Sequence, residues 1–194
     1  MTLPRETEVS RVTKETDITI KLNIDGTGKA IIKTGIGFFD HMLNTLILHS
    51  RFDIELIAKG DLDIDGHHLC EDVGITLGKA LNDAIGEPKI VRFGYALVPM
   101  DDALVVCSID ISGRPYFECG NLIEDKFIGT FQTEWLTEFL RAFALNGKMN
   151  LHLIRFRGTN SHHIAECAMK SLALSLKEAL KKSGEVPSTK GALL

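Results

Sequence analysis

The sequence predicts an α+β protein built from two pseudo-equivalent halves, each a sheet backed by helices. Three observations predict it. Segments of period-two alternation and segments of helical spacing succeed one another along the chain. The order strand-helix-strand-helix occurs twice. The same short pattern, HHxxE, opens the second helix each time, in GHHLCED at 66–72 and in SHHIAEC at 161–167. A unit of roughly 90 residues in two copies is too few for a solenoid and reads as an internal duplication.

Taken in order, DITIKLNI (17–24) alternates as a strand and DGTGK follows as a Gly-rich turn. FFDHMLNTLILHS (38–50) is helical, entered through GIG, and FDIELIA (52–58) alternates again. The helix at 67–86 carries Val73, Leu77, Ala80, Leu81 and Ala84 at helical spacing and is closed by Gly86 and Pro88. RFGYALVPM (92–100) and ALVVCSIDI (103–111) read as paired strands around an MDD turn, followed by RPYFECG. FQTEWLTEFLRAFALNG (131–147) is then a helix and NLHLIRFRG (150–158) a strand. The helix at 162–184 places Ala165, Ala168, Met169, Leu172, Leu176, Ala179 and Leu180 on one stripe. Nothing between the halves, roughly 1–90 and 91–184, looks like a flexible linker, so a single domain with a shared core is expected. Residues 185–194 form a C-terminal tail.

Composition narrows the class. The 194 residues are 44% hydrophobic and 25% charged, ordinary for a soluble globular enzyme. A net charge of −4 argues against a nucleic-acid surface, which needs a basic excess. No apolar run reaches the about 18 residues of a membrane span, and the N-terminus has no apolar core of a signal peptide. The four cysteines, Cys70, Cys107, Cys119 and Cys167, form no CxxC pair and read as reduced, mostly buried thiols of a cytoplasmic protein.

Four of the seven histidines lie in the two motifs. Imidazole nitrogen and carboxylate oxygen are ligands for divalent first-row metals. Residues at i and i+4 share a helix face, so His67 can share an ion with Glu71, and His162 with Glu166. His68 and His163, one position on, are rotated by about 100° and serve another direction. A helix offering ligands in two directions fits a place between two metals, or between two subunits. His41 and His152 complete a set of eight ligands, four for each of two ions, which leaves open positions for substrate or water. His49 has no partner in the pattern and reads as structural.

GIGFFDHML, GHHLCEDVGITLG, RFGYALVPMDDAL, SGRPYF, NLHLIRF, SHHIAE and PSTKG, in this order over nearly the whole chain, resemble imidazoleglycerol-phosphate dehydratase of histidine biosynthesis. The resemblance implies loss of water from imidazoleglycerol phosphate to give imidazoleacetol phosphate, with two metals stabilising anionic stages of the substrate ring. It implies phosphate binding by Arg92, Arg114, Lys170, Ser188 and Lys190, the last two in a tail that orders over the phosphate. It implies Glu15 as general acid/base beside the ligand carboxylates Glu71 and Glu166. Manganese, no organic cofactor, and an assembly of twenty-four copies with active sites formed between subunits are further implications. The sequence departs from the usual pattern at Thr45, where glutamine is common, at Gly66, where aspartate is common, and at Leu69–Cys70 inside the first motif. The second enzyme class compatible with the ligands is a dinuclear-metal phosphoester hydrolase. A non-enzymatic metal-stapled assembly would need closed sites with no position for substrate.

Overall fold

The structure, a computed structural model, describes residues 5–86 and 89–185. Pro88, Ser188 and Lys190 lie outside them. The first sheet grows from a hairpin, β1 (Glu6–Val12) and β2 (Thr16–Asn23), in which Ile18, Ile20 and Leu22 of β2 all point to one buried face. The chain continues through β3 (Ala30–Lys33), α1 (Gly37–Ser50), β4 (Asp53–Gly60) and α2 (His67–Ile85). The second sheet repeats this with β5 (Phe93–Met100), β6 (Ala103–Asp110) and β7 (Tyr116–Glu118). A short hairpin, β8 (Phe127–Ile128) with β9 (Phe131–Gln132), comes next, then α3 (Thr133–Asn146), β10 (Asn150–Arg157) and α4 (Ser161–Ala179).

The strand orders are β1-β2-β4-β3 and β5-β6-β10-β7. In each sheet a hairpin leads, the third strand in space runs antiparallel to it, and the fourth lies parallel at the edge. The parallel edge follows from the strand–helix–strand crossover, which is how two parallel neighbours are joined. The half is therefore richer than strand-helix-strand-helix: three strands precede its first helix. Two of them were illegible for physical reasons. β1 puts Glu6, Glu8, Ser10 and Val12 on its exposed face and only Thr7, Val9 and Arg11 toward the interior. β3 has four residues.

Two helix boundaries also differ from the sequence reading. α3 starts at Thr133 because Phe131–Gln132 pair with β8. α4 stops at Ala179 rather than reaching Gly184. The segment before β5 ends it: the Arg92 N–H donates to the Ala179 carbonyl at 2.8 Å and the Val91 N–H to the Lys181 carbonyl at 2.9 Å. Carbonyls that a helix end leaves without intrahelical partners are thus satisfied.

α1 and α2 cover the inner face of the first sheet, α3 and α4 that of the second, and the helices meet as α1 on α4 and α2 on α3. The α4 stripe of Ala165, Ala168, Met169, Leu172, Leu176, Ala179 and Leu180 is at most 2% exposed, as a helix in the shared core must be. Gly74 and Gly78 set the α2–α3 distance: a Cβ there would come within 2.5 Å of the Phe139 carbonyl and 2.6 Å of the Phe143 carbonyl. All four helices present their N-termini to one end of the layer. Phe38 of α1 touches Phe131 before α3 (5.0 Å) and His162 of α4 (5.3 Å), and Gly66 before α2 abuts Trp135 of α3. No helix among the described residues is long and apolar enough to cross a membrane.

Candidate active site

The first turn of α4 is fixed by Asn160, whose Oδ1 accepts the N–H of His162 at 3.0 Å and of His163 at 3.2 Å. With the turn set, His162, Glu166 and Lys170 follow at i, i+4 and i+8 along one face. α1 lies beside this face and contributes His41. The Glu166 Oε2 is 3.2 Å from His41 Nε2 and 3.4 Å from His162 Nε2, while Lys170 Nζ sits 2.8 Å from its Oε1. Burial raises the Glu166 carboxyl, but Lys170 and His41 outweigh it and hold the group below its ordinary range. Ligand-type atoms of His41, His162 and Glu166 lie within 4.8 Å of one another.

The matching place on α2 is arranged alike. His67 Nε2 is 3.9 Å from Glu71 Oε2, and Arg141 of α3 holds Glu71 Oε1 at 2.9 Å. The second histidine of each motif turns to an aspartate. His68 Nδ1 pairs with Asp61 Oδ2 at 3.0 Å, and His163 Nδ1 with Asp102 Oδ1 at 2.7 Å. Asp61 raises the His68 pKa, helped by Glu15, whose Oε2 is 3.9 Å from the same nitrogen. Asp102 also accepts the backbone N–H groups of Thr159 (2.7 Å) and Asn160 (3.1 Å), which with His163 hold its carboxyl far below the usual carboxylate range. A histidine bonded through Nδ1 is fixed in tautomer and presents Nε2 outward, the arrangement found behind metal-ligating imidazoles. Glu15, Asp61 and His68 form a second compact group of donors within 4.8 Å.

Nitrogen and oxygen donors in these clusters fit a divalent first-row metal. A thiolate does not join them. Cys70 is fully buried in the core, with burial pushing its thiol up, and Cys107 is pushed up to about 12 by the same cause. All four cysteines are free. His49 on α1 is partly buried, and burial lowers its pKa.

The other candidates lie elsewhere. The backbone of Arg92 meets Ala179 at the C-terminal end of α4, about 25 Å along that helix from His162 at 1.5 Å per residue. The Arg92 guanidinium pairs with Asp110 at 2.6 Å and lies over Phe93. Arg114 is exposed in the loop after β6, where its carbonyl accepts from Asn150 at 2.6 Å. His152 is on the outward face of β10, stacked on Tyr116 with ring centroids 5.4 Å apart. Asp110, Asn150 and Tyr116 are neighbours in register, so Arg92, Arg114 and His152 share one end of the second sheet, away from the helix N-termini. Asp61, Asp102 and Arg141 were not singled out from the sequence. Asp61 and Asp102 sit in turns where aspartate is common, and Arg141 looks like any charged helix residue. The Gly66 departure has a steric reason: a Cβ there would meet the Trp135 ring at 2.7 Å and Ile36 at 2.9 Å. Thr45 is 7% exposed in α1.

The sequence profile of imidazoleglycerol-phosphate dehydratase matches residues 34–176. The imidazoleglycerol-phosphate dehydratase of Gluconobacter oxydans is 51% identical over 97% of this chain and 98% of its own. That of Thermoanaerobacter pseudethanolicus is 52% identical over 97% of this chain and 100% of its own. Among solved structures, IGPD from Pyrococcus furiosus superposes with a TM-score of 0.84 at 42% identity, covering 95% of this chain and 100% of that one. The enzyme from Staphylococcus aureus gives 0.83 at 34% identity, covering 92% and 99%.

Proposed function

The chain belongs to the imidazoleglycerol-phosphate dehydratase family and is a hydro-lyase of histidine biosynthesis; from that premise we propose how its residues divide the work. The substrate is imidazoleglycerol phosphate and the product imidazoleacetol phosphate. His41, His67, His68, Glu71, His152, His162, His163 and Glu166 hold two divalent ions per active site, manganese by family likeness. When bound, such ions supply positive charge that stabilises anionic stages of an elimination whose departing hydrogen is not next to a carbonyl.

The remaining roles fall to the chain's own groups. Arg92, Arg114, Lys170, Ser188 and Lys190 bind the substrate phosphate, the arginines through their forked donors. Glu15, half-exposed beside His68, carries the proton. Asp61 and Asp102 keep the second histidine of each motif in one tautomer. No redox cofactor is required, because no step is a redox step.

Active sites form between copies of the chain. The distance of Arg92, Arg114 and His152 from the helix N-termini supports this, since one copy cannot bring them to its own Glu166. So does the outer face of the second sheet, where Leu97 and Ile154, 54% and 55% exposed, flank Val106 in register and Tyr95, 76% exposed, lies two residues along β5 on the same face. An apolar face of this kind marks an interaction site. The assembly is of twenty-four copies by family likeness, and the free thiols agree with a cytoplasmic enzyme.

The observation that carries this reading is the cluster of His41, His162 and Glu166 inside a chain matched from 34 to 176 by one family. No observation favours the phosphoester hydrolase. The test is dehydration of imidazoleglycerol phosphate by purified protein stripped with chelator and resupplied with manganese. Activity lost and then restored is expected. Folded, remetallated protein that stays inactive on this substrate would overturn the reading.

A further inference from the structure

We infer that Arg141 is a positioning residue that fixes Glu71 for metal binding through one oxygen, the counterpart on α3 of Lys170 on α4. This deepens the metal reading above and rests on it. The two glutamates of the duplicated motif are held in the same divided way. On Glu166, Lys170 takes Oε1 at 2.8 Å and the imidazoles of His41 and His162 face Oε2 at 3.2 and 3.4 Å. On Glu71, Arg141 takes Oε1 at 2.9 Å and the imidazole of His67 faces Oε2 at 3.9 Å. In both, a cation holds one oxygen and leaves the other on the histidine side.

The cations come from different places because the two helices differ. Lys170 stands four residues after Glu166, but four residues after Glu71 the chain has Ile75, which carries no charge. The missing cation is supplied across the helix gap. Gly74 and Gly78 let α3 approach α2 to backbone contact, and this brings Arg141 to the first turns of α2. Glu138, one turn earlier on α3, accepts from Arg141 Nε at 2.7 Å and aims the guanidinium. Its Nη2, the nitrogen that meets Glu71, is also 2.6 Å from the same Glu138 oxygen, so Arg141 bridges two carboxylates, one that orients it and one that it orients.

A carboxylate with one oxygen committed to a guanidinium binds an ion through the other, and a coordination position stays open that a chelating glutamate would fill. The groups that orient ligands in this way set metal affinity by about 10–100-fold. The same hydrogen bond offsets part of the negative charge that Glu71 brings to the ion, and keeps it from swinging into solvent.

The experiment compares full-length wild type with Arg141→Gln and Arg141→Lys. The readouts are the Mn2+ dissociation constants by titration, the electron paramagnetic resonance spectrum of bound Mn2+, and the melting temperature of metal-free protein. Arg141→Gln is expected to weaken one class of Mn2+ site by about 10–100-fold and to change its spectrum, with the metal-free melting temperature nearly unchanged. Arg141→Lys, which keeps the charge and loses the fork, should fall between the two. Wild-type affinity and spectrum in both variants would overturn the inference while leaving the metal reading intact. A drop in metal-free melting temperature that accounts for the lost affinity would also overturn it, assigning Arg141 to packing. Wild-type protein that takes up no Mn2+ would overturn the metal reading and this inference together.

Discussion

His163 and Asp102 show how much of the site is decided by single contacts. The pairs His67/Glu71 and His162/Glu166 were legible in the sequence because their spacing is local and a helix turns i and i+4 to one side. The aspartate behind His163 was not, since it stands 61 residues earlier and reaches the ring only once the β5–β6 turn packs against the start of α4. The same holds for Arg141, 70 residues from the carboxylate it contacts. Asp102→Asn keeps the shape of the side chain and removes the charge that fixes the His163 tautomer. Metal affinity is expected to fall about 10–100-fold, with far-UV circular dichroism unchanged. Titration with Mn2+ under conditions where both proteins are folded checks it, and equal affinities would remove Asp102 from the site.

At the scale of elements, the helices were the readable part. Their apolar stripes repeat at helical spacing, and the residues on them are the buried ones. The edge strands β1 and β3 were not, because β1 buries little on either face and carries no clear alternation of apolar and polar residues, and β3 is only four residues long. What the stripe cannot tell is which helix packs on which. That choice is made by Gly74 and Gly78, whose bare backbones admit α3. Gly74→Val would drive a side chain against the Phe139 carbonyl, at a cost of about 1–3 kcal/mol for an overpacked core. A fall in melting temperature is expected, together with weakened Mn2+ binding as Arg141 is pushed from Glu71. An unchanged melting temperature would contradict the close approach of the two helices.

For the whole molecule, the duplication was legible because it repeats a motif at corresponding places, and the matching strand orders of the two sheets follow from it. The separation of the site into distant parts was not legible, since a list of candidate ligands has no positions. His41, His162 and Glu166 gather where the helix N-termini converge, whereas His152 faces outward from the second sheet beside Tyr116. The central claim, that one working site draws on more than one copy, is tested most directly by mixing two dead variants. Glu166→Gln and His152→Ala, each inactive alone, are co-expressed so that they assemble together, and dehydration of imidazoleglycerol phosphate is measured. If the two residues reach a site from different copies, about a quarter of the sites in an equal mixture receive both native side chains, and activity returns to about that fraction of wild type. If each site is complete within one chain, every chain carries a lesion and the mixture stays inactive, which would contradict the account.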